Sequence, residues 1–121
     1  MNEFQEMKEE NVILEMSYAF SLEVMRIAKL MREDKQYDLA SQFWRAGTSI
    51  GANVEEAQAA QSRADFRSKM SIAAKEARES HYWLRLCRDG EVLPPPEILP
   101  AIDHIEAIKR ILTSIVKSSG N

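Results

Sequence analysis

The chain has 121 residues, of which 45% are apolar and 29% are charged, and this is the composition and length of a single globular domain. The net charge of −3 does not favour a general nucleic-acid binder, the single cysteine excludes an intrachain disulfide, and no segment approaches the roughly 18 consecutive apolar residues of a membrane span. The acidic N-terminus lacks the basic and apolar regions of a signal peptide, so we expect one cytoplasmic domain over residues 1–121.

The hydrophobic pattern predicts four helices and contains no strand-like alternation. The predicted helices cover residues 11–32, 39–61, 63–89 and 96–118. Four helices of this length with mostly short connections favour an all-α fold, an antiparallel up-and-down four-helix bundle.

The first predicted helix is apolar on two sides, whereas an ordinary surface helix has one apolar stripe of about 100°. One stripe consists of Ile13, Met16, Phe20, Ile27 and Met31. The other consists of Leu14, Tyr18, Leu22 and Met25. We therefore expect this helix to be buried on both sides.

The second predicted helix passes through a stretch, residues 45–62, whose glycine and serine content is typical of a loop. Helical periodicity nevertheless continues through it, after Asp38 as the expected N-cap. Gly47 and Gly51 each cost about 1 kcal/mol relative to Ala inside a helix. Since they are four residues apart, they are expected to admit a neighbouring helix backbone at short range. A loop is the alternative for this stretch.

The third predicted helix starts with Ser62 and Asp65 as a capping box and ends before Gly90, which we expect in the left-handed conformation. Its main apolar stripe consists of Phe66, Met70, Ala73, Ala77 and Leu84. Nearly opposite lie Ile72, Trp83 and Leu86, flanked by Tyr82. This helix too has two apolar sides.

The fourth predicted helix follows three consecutive prolines and begins near Pro96. It has a single apolar stripe of Ile98, Ile102, Ile105, Ile108, Leu112 and Ile115. The surplus apolar sides of the first and third helices therefore predict a homo-oligomer. The interface candidates are Leu14, Tyr18, Leu22, Met25, Ile72, Trp83 and Leu86.

Three stretches of the chain, SQFWRAGTSIGANVEEA, SRADF and IAAKEARESHYWLRL, resemble the bacterial four-helix bundle family named after the 23S ribosomal RNA intervening-sequence proteins. The matching positions are Gln42, Arg45, Ala46, Ser49, Ile50, Asn53, Val54, Glu56, Ser62, Asp65, Phe66, Lys75, Glu76, Ala77, Glu79, Tyr82, Trp83 and Leu84. Ala57 departs from the pattern, in which Gly is common at that position. The resemblance implies a four-helix bundle that assembles in some members as a ring-shaped pentamer. It implies no reaction, and one distant relative is a nucleic-acid-binding accessory of a retroelement.

Five polar residues of the family pattern are candidates for structural or interface roles: Arg45, Ser49, Asn53, Glu56 and Glu79. We expect them to cap, bridge or pair with neighbouring helices or subunits, because buried polar groups need partners. A role in binding a ligand or nucleic acid and simple solvent exposure are the alternatives. For Glu79, which lies among apolar residues, the expected partner is an arginine of another subunit.

The sequence contains no recognisable catalytic or metal-binding pattern. A di-iron bundle needs Glu-x-x-His motifs, but Arg78 and Ala101 stand three residues before His81 and His104. No nucleophile–base pair and no phosphate-binding loop is present, and Cys87 is expected to be a packed thiol. We therefore expect no enzyme activity, no cofactor, no metal and no small-molecule substrate.

The third predicted helix carries a basic stripe within about 80° of arc. Its members are Arg63, Arg67, Arg78, Arg85 and Arg88. One interpretation is a solvated face of ion pairs, which the overall acidity favours. The other is a contact surface for RNA or DNA phosphates. Membrane binding is not expected, because anionic lipid would repel the acidic N-terminus. The sequence thus predicts a non-enzymatic, self-assembling protein, with a nucleic-acid-binding accessory as the alternative.

Overall fold

The structure is a computed structural model that describes residues 2–120. Over these residues it consists of four α-helices and no strand. The helices are α1 (Glu3–Glu33), α2 (Tyr37–Gln58), α3 (Arg63–Asp89) and α4 (Pro95–Ser118). This agrees with the predicted element order, while several boundaries differ.

Helix α1 begins at Glu3 and not at the predicted residue 11. Asn2 and Gln5 form a capping box, in which the Asn2 side chain accepts from the Gln5 backbone N at 2.8 Å and the Gln5 side chain accepts from the Asn2 backbone N at 3.3 Å. The hydrophobic pattern starts only at Val12, and for that reason it placed the start of the helix too late.

Side-chain pairs show that neighbouring helices run in opposite directions. Between α1 and α4, Glu9 contacts Ser114 and Glu23 contacts His104, so residue numbers fall along one helix as they rise along the other. Helix α1 packs against α2 and α4, and α3 packs against the same two helices. Helices α1 and α3 therefore lie diagonally across the core.

The core is formed by the predicted inner stripes of the four helices. Phe20 of α1 and Phe43 of α2 meet edge to face, with ring centroids 6.4 Å apart. Each of the six predicted aliphatic positions of α4 is buried, whereas Met16 and Phe66 are only partly buried at the edge of the core. Cys87 is fully buried, and burial raises the pKa of its thiol to about 11, as expected for a packed and unreactive cysteine.

The glycine-rich stretch is helical as far as Gln58, so the loop alternative is wrong there, although the helix ends earlier than the predicted residue 61. Gly47 and Gly51 are buried against α1. A Cβ atom added to Gly47 would lie 2.4 Å from Cγ2 of Val24. The seam between α1 and α2 is therefore closer than any larger residue at position 47 allows.

Two of the predicted caps are wrong. Asp38 lies inside the first turn of α2, whose N-cap is Gln36, without a side-chain cap bond. Gly90 has a φ of −83°, and the left-handed residue is Glu91, with a φ of 55°. The backbone N of Val92 donates to the Cys87 carbonyl at 2.9 Å, as in a Schellman motif. In this motif the left-handed residue is Glu91, one residue after the predicted Gly90.

Candidate interaction surfaces

The outer face of α1, turned away from both neighbouring helices, carries large exposed apolar side chains. Tyr18, Leu22 and Met25 were predicted there, and Leu22 is 54% exposed, while Leu14 is partly buried. Phe4 and Met7 extend this face toward the N-terminus, and Phe4 is 74% exposed. The sequence prediction missed these two residues because it started the helix at residue 11. We call the surface formed by Phe4, Met7, Tyr18, Leu22 and Met25 the α1 face.

A second apolar surface lies on the outside of α3. Ile72, Tyr82 and Leu86 are exposed, and Trp83 is partly buried beside them. The rings of Tyr82 and Trp83 meet edge to face with centroids 5.1 Å apart. We call the surface formed by Ile72, Tyr82, Trp83 and Leu86 the α3 face. Because α1 and α3 lie diagonally in the bundle, the two faces lie on different sides of the molecule.

An ion-pair network connects α2 with α3 at the edge of the α3 face. Arg45 donates to Glu76 at 2.9 Å with one terminal nitrogen and to Glu79 with the other. Glu79 also accepts from the indole nitrogen of Trp83 at 3.1 Å. Burial opposes ionisation of Arg45, but the hydrogen bonds and charges of the two glutamates raise its pKa. Glu79 was expected to pair with an arginine of another subunit; within this chain its partner is Arg45.

The other polar residues of the family pattern lie on α2 in the same row. The Ser49 hydroxyl donates to the Arg45 carbonyl, and the Asn53 amide donates to the Ser49 carbonyl at 2.8 Å. Both side chains thus bond within their own helix, and neither forms a hydrogen bond to a neighbouring helix within residues 2–120. Glu56 lies 3.7 Å from Lys69 of α3, in an exposed ion pair that adds little stability.

The first half of the arginine stripe lines a groove between the start of α3 and the end of α4. We call it the basic groove. Its volume is about 850 Å³. Four cationic side chains line it, together with two serine hydroxyls from α3, and no acidic side chain of residues 2–120 does so. The lining residues are Arg63, Ala64, Arg67, Ser68, Ser71, Ile72, Lys75, Arg78, Ser119 and Gly120.

The second half of the stripe has a different environment. Arg88 pairs with Asp89 at 2.7 Å, and this hydrogen bond raises the pKa of Arg88 and lowers that of Asp89. The guanidinium of Arg85 lies 5.8 Å from the centre of the Tyr82 ring. The predicted stripe of five arginines is therefore divided into two parts, and only Arg63, Arg67 and Arg78 line the basic groove.

A smaller depression of about 390 Å³ lies between α3 and α4, next to this second half. His81 lines it, and its Nδ1 accepts from the Lys109 ammonium at 2.9 Å. Burial and the charges of Lys109 and Arg85 lower the pKa of His81, which favours the neutral ring. Glu106 and Arg110 complete the charged lining. Only the apolar stripe of α4 was predicted from the sequence, and these charged residues carry no pattern that indicates a role.

A third cavity, of about 400 Å³, lies between α1 and α4. Its floor is apolar, with Phe20 and Ile108, and the His104 ring nitrogen contacts the Glu23 carboxylate at 2.9 Å at its edge. This pair joins residues 81 positions apart, so no local sequence signal could have revealed it.

Residues 2–120 contain no group of three or more histidine, cysteine, aspartate or glutamate side chains placed to hold a metal ion. None of the helices in this part of the chain combines the length and the apolar character that crossing a bilayer requires.

Comparisons with known proteins agree with the resemblance seen in the motifs. Residues 9–114 match the family described as 23S rRNA-intervening sequence protein. A crystal structure of a protein with unknown function from the S23 ribosomal protein family, from Bacteroides thetaiotaomicron, is 39% identical, with a TM-score of 0.85, and the match covers 90% of this chain and 98% of that one. A comparison with curated proteins finds no match. The chain belongs to the 23S rRNA-intervening sequence protein family.

Proposed function

We propose that this protein is a self-assembling module, in which the α1 face of one copy packs against the α3 face of the next. The observation that supports this most is the presence of two separate apolar surfaces on diagonal helices of the same chain. Large exposed apolar surfaces that neighbour polar rims are typical of association sites. No cofactor or catalytic residue is needed for such a role.

Two different surfaces on one chain favour a head-to-tail contact, in which every copy has two neighbours. Helices α1 and α3 run in the same direction, so copies joined in this way stand side by side with the same orientation. Such a contact makes a closed ring if the two faces are inclined toward each other, and an open filament if they are opposite.

The helical periodicity displaces both faces from the outward direction toward α2. On α3, Trp83 and Ile72 share a side with Glu76, which reaches Arg45 of α2. On α1, Met25 lies one turn after Ser21, whose hydroxyl faces Gly51 of α2. Each face is displaced by roughly 40° toward α2, so the angle between them is roughly 100°. A ring of about four to six copies satisfies that angle, and the family resemblance favours five.

The test of this head-to-tail contact uses one variant for each of the two faces. Leu22→Asp damages the α1 face and Leu86→Asp damages the α3 face, so each variant keeps one intact surface. Light scattering or native mass spectrometry of either variant alone should give monomers. A mixture of the two should give a one-to-one dimer and nothing larger, because only one productive contact is left.

A matched control is Leu99→Asp, since Leu99 is an exposed leucine of α4 outside both faces. This variant should keep the mass of the unmodified assembly. A monomeric unmodified protein, or variants that keep the full mass, would contradict the proposal.

A second candidate function is a nucleic-acid-binding accessory. It is supported by the basic side of the molecule, where Lys109 and Arg110 of α4 add to the arginines of α3. Binding to RNA or DNA phosphates should weaken steeply as salt increases. Arg67→Glu together with Arg78→Glu should abolish it, and a gel-shift assay without retardation at about 50 mM salt would remove this candidate.

A further inference from the structure

The basic groove brings together four cationic side chains, and their mutual repulsion does not help the chain to fold. Arg63 and Arg67 are neighbours at i and i+4 on α3, and Lys75 and Arg78 are neighbours at i and i+3. Like charges at these spacings destabilise a helix by about 0.2–0.5 kcal/mol per pair. Arg67, Lys75 and Arg78 form no ion pair with any acid in the described part of the chain, and Arg63 is 3.9 Å from Glu6. An anion in the groove would remove this repulsion.

We propose that the basic groove binds a small ligand that carries two or more phosphate groups, such as an oligophosphate or a nucleoside triphosphate. Its volume of about 850 Å³ lies within the range of roughly 300–1,000 Å³ that is usual for small-molecule sites. Guanidinium groups bind phosphate oxygens through paired, charge-assisted hydrogen bonds. The hydroxyls of Ser68 and Ser71 lie between the two cationic pairs and add neutral donors.

The arrangement of the side chains suits a ligand of limited length. The Arg63–Arg67 pair and the Lys75–Arg78 pair are separated by eight residues of α3, or about 12 Å along the helix axis. The side chains are long and flexible, so their charged groups can approach each other more closely than this. The Arg67 Nε donates to the Val116 carbonyl of α4 at 3.3 Å. This bond holds the guanidinium at the wall of the groove and leaves its terminal nitrogens for a ligand.

The second half of the stripe argues against a polymer that follows all five arginines. Arg88 is already paired with Asp89, and Glu106 places a carboxylate in the neighbouring depression. Although Lys109 and Arg110 also line that depression, the two acids make it less attractive to a continuous phosphate backbone than the basic groove is. The absence of acid in the lining of the basic groove, within residues 2–120, therefore favours a compact ligand in that groove.

Isothermal titration calorimetry with sodium tripolyphosphate and with ATP tests the proposal on the full chain at about 50 mM salt. We expect one saturable site per chain. Arg67→Gln combined with Arg78→Gln should weaken binding by about tenfold or more, because each removes a charge-assisted contact. The matched control, Arg85→Gln combined with Arg88→Gln, removes the same charge outside the groove and should change the affinity by less than about twofold.

Circular dichroism shows whether each variant is folded, and Leu22→Asp should retain the site, so that binding is measured independently of self-assembly. The proposal is overturned if neither tripolyphosphate nor ATP binds, or if the two double variants lose affinity equally. It is also overturned if only an oligonucleotide binds and all four arginines contribute alike, which would instead support the nucleic-acid candidate.

Discussion

The two sides of helix α1 differ in packing: one is closely packed against α2, and the other is exposed. On the side toward α2, Val24 is fully buried and approaches Gly47 so closely that a single added carbon would collide with it. On the outer side, Leu22 and Met25 belong to the same turns of the helix, yet they are exposed. Close packing with complementary shapes stabilises the inner seam, whereas the outer face has no packing partner in the part of the chain that the structure describes.

This difference indicates that the stability of the bundle and its association depend on separate residues of one helix. Substitutions at the inner seam should lower the free energy of unfolding of the single chain. Substitutions on the outer face should change the mass of the assembly and leave the unfolding of the single chain nearly unchanged. To remove the contribution of assembly, stability is best measured in the Leu22→Asp background, where we expect a monomer.

The largest loss of stability is expected for Phe20→Ala. This substitution removes a buried ring that meets Phe43 edge to face, and it leaves a cavity in the core. The free energy of unfolding should fall by about 3–5 kcal/mol in urea denaturation. Leu99→Ala, at an exposed position of α4, is the control and should cost less than about 0.5 kcal/mol. Equal effects at the two positions would show that the core has been misassigned.

Gly47→Ala should have the next largest effect. The new Cβ would lie 2.4 Å and 2.9 Å from the two γ carbons of Val24, a buried side chain with little freedom to move. Overpacking costs about 1–3 kcal/mol, which exceeds the gain of about 1 kcal/mol from the better helix former. Combined with Val24→Ala, the substitution should cost less than the sum of the two single changes.

Gly51→Ala provides the comparison within the same seam. Its Cβ would meet Ser21 Oγ at 3.1 Å and the Ser17 carbonyl oxygen at 3.3 Å, a tight but less severe contact. We therefore expect a smaller change than at Gly47, within about 1 kcal/mol of zero. A Gly47→Ala variant as stable as Gly51→Ala would argue that the seam can open without cost.

Arg45→Met tests the network between α2 and α3. It leaves the nearly buried carboxylate of Glu76 without its charged partner, and it also removes the contact to Glu79. Because the Arg45 side chain is half exposed, water screens part of the interaction, and we expect a loss of about 1 kcal/mol. Glu56→Gln, which breaks the exposed pair with Lys69, should cost less than about 0.5 kcal/mol. A chemical denaturation series with both variants distinguishes them.

The smallest change in the stability of the single chain is expected on the outer face. Leu86→Asp in the Leu22→Asp background should alter the free energy of unfolding by less than about 0.5 kcal/mol, because the exposed side chain loses few contacts. The same substitution in the unmodified chain should abolish the assembly. A large destabilisation of the monomer would show that the α3 face contributes to the fold itself.

The sequence by itself determined the four helices, the side of each helix that faces the core, and the surplus apolar residues on α1 and α3. These features depend on local periodicity, which is a property of each helix and is visible without its neighbours. Even the helical state of the glycine-rich stretch followed from the register that continues through Gly47 and Gly51.

Only the tertiary structure decided which side chains meet. The pairing of Arg45 with Glu79 joins residues 34 positions apart, and the contact of Glu23 with His104 joins residues 81 positions apart. The basic groove likewise exists because the end of α4 closes one side of the start of α3. A helical wheel gives the direction of each side chain around one helix axis, but it gives no distances between helices. For that reason the sequence predicted one stripe of five arginines, whereas the packed bundle separates them into two environments.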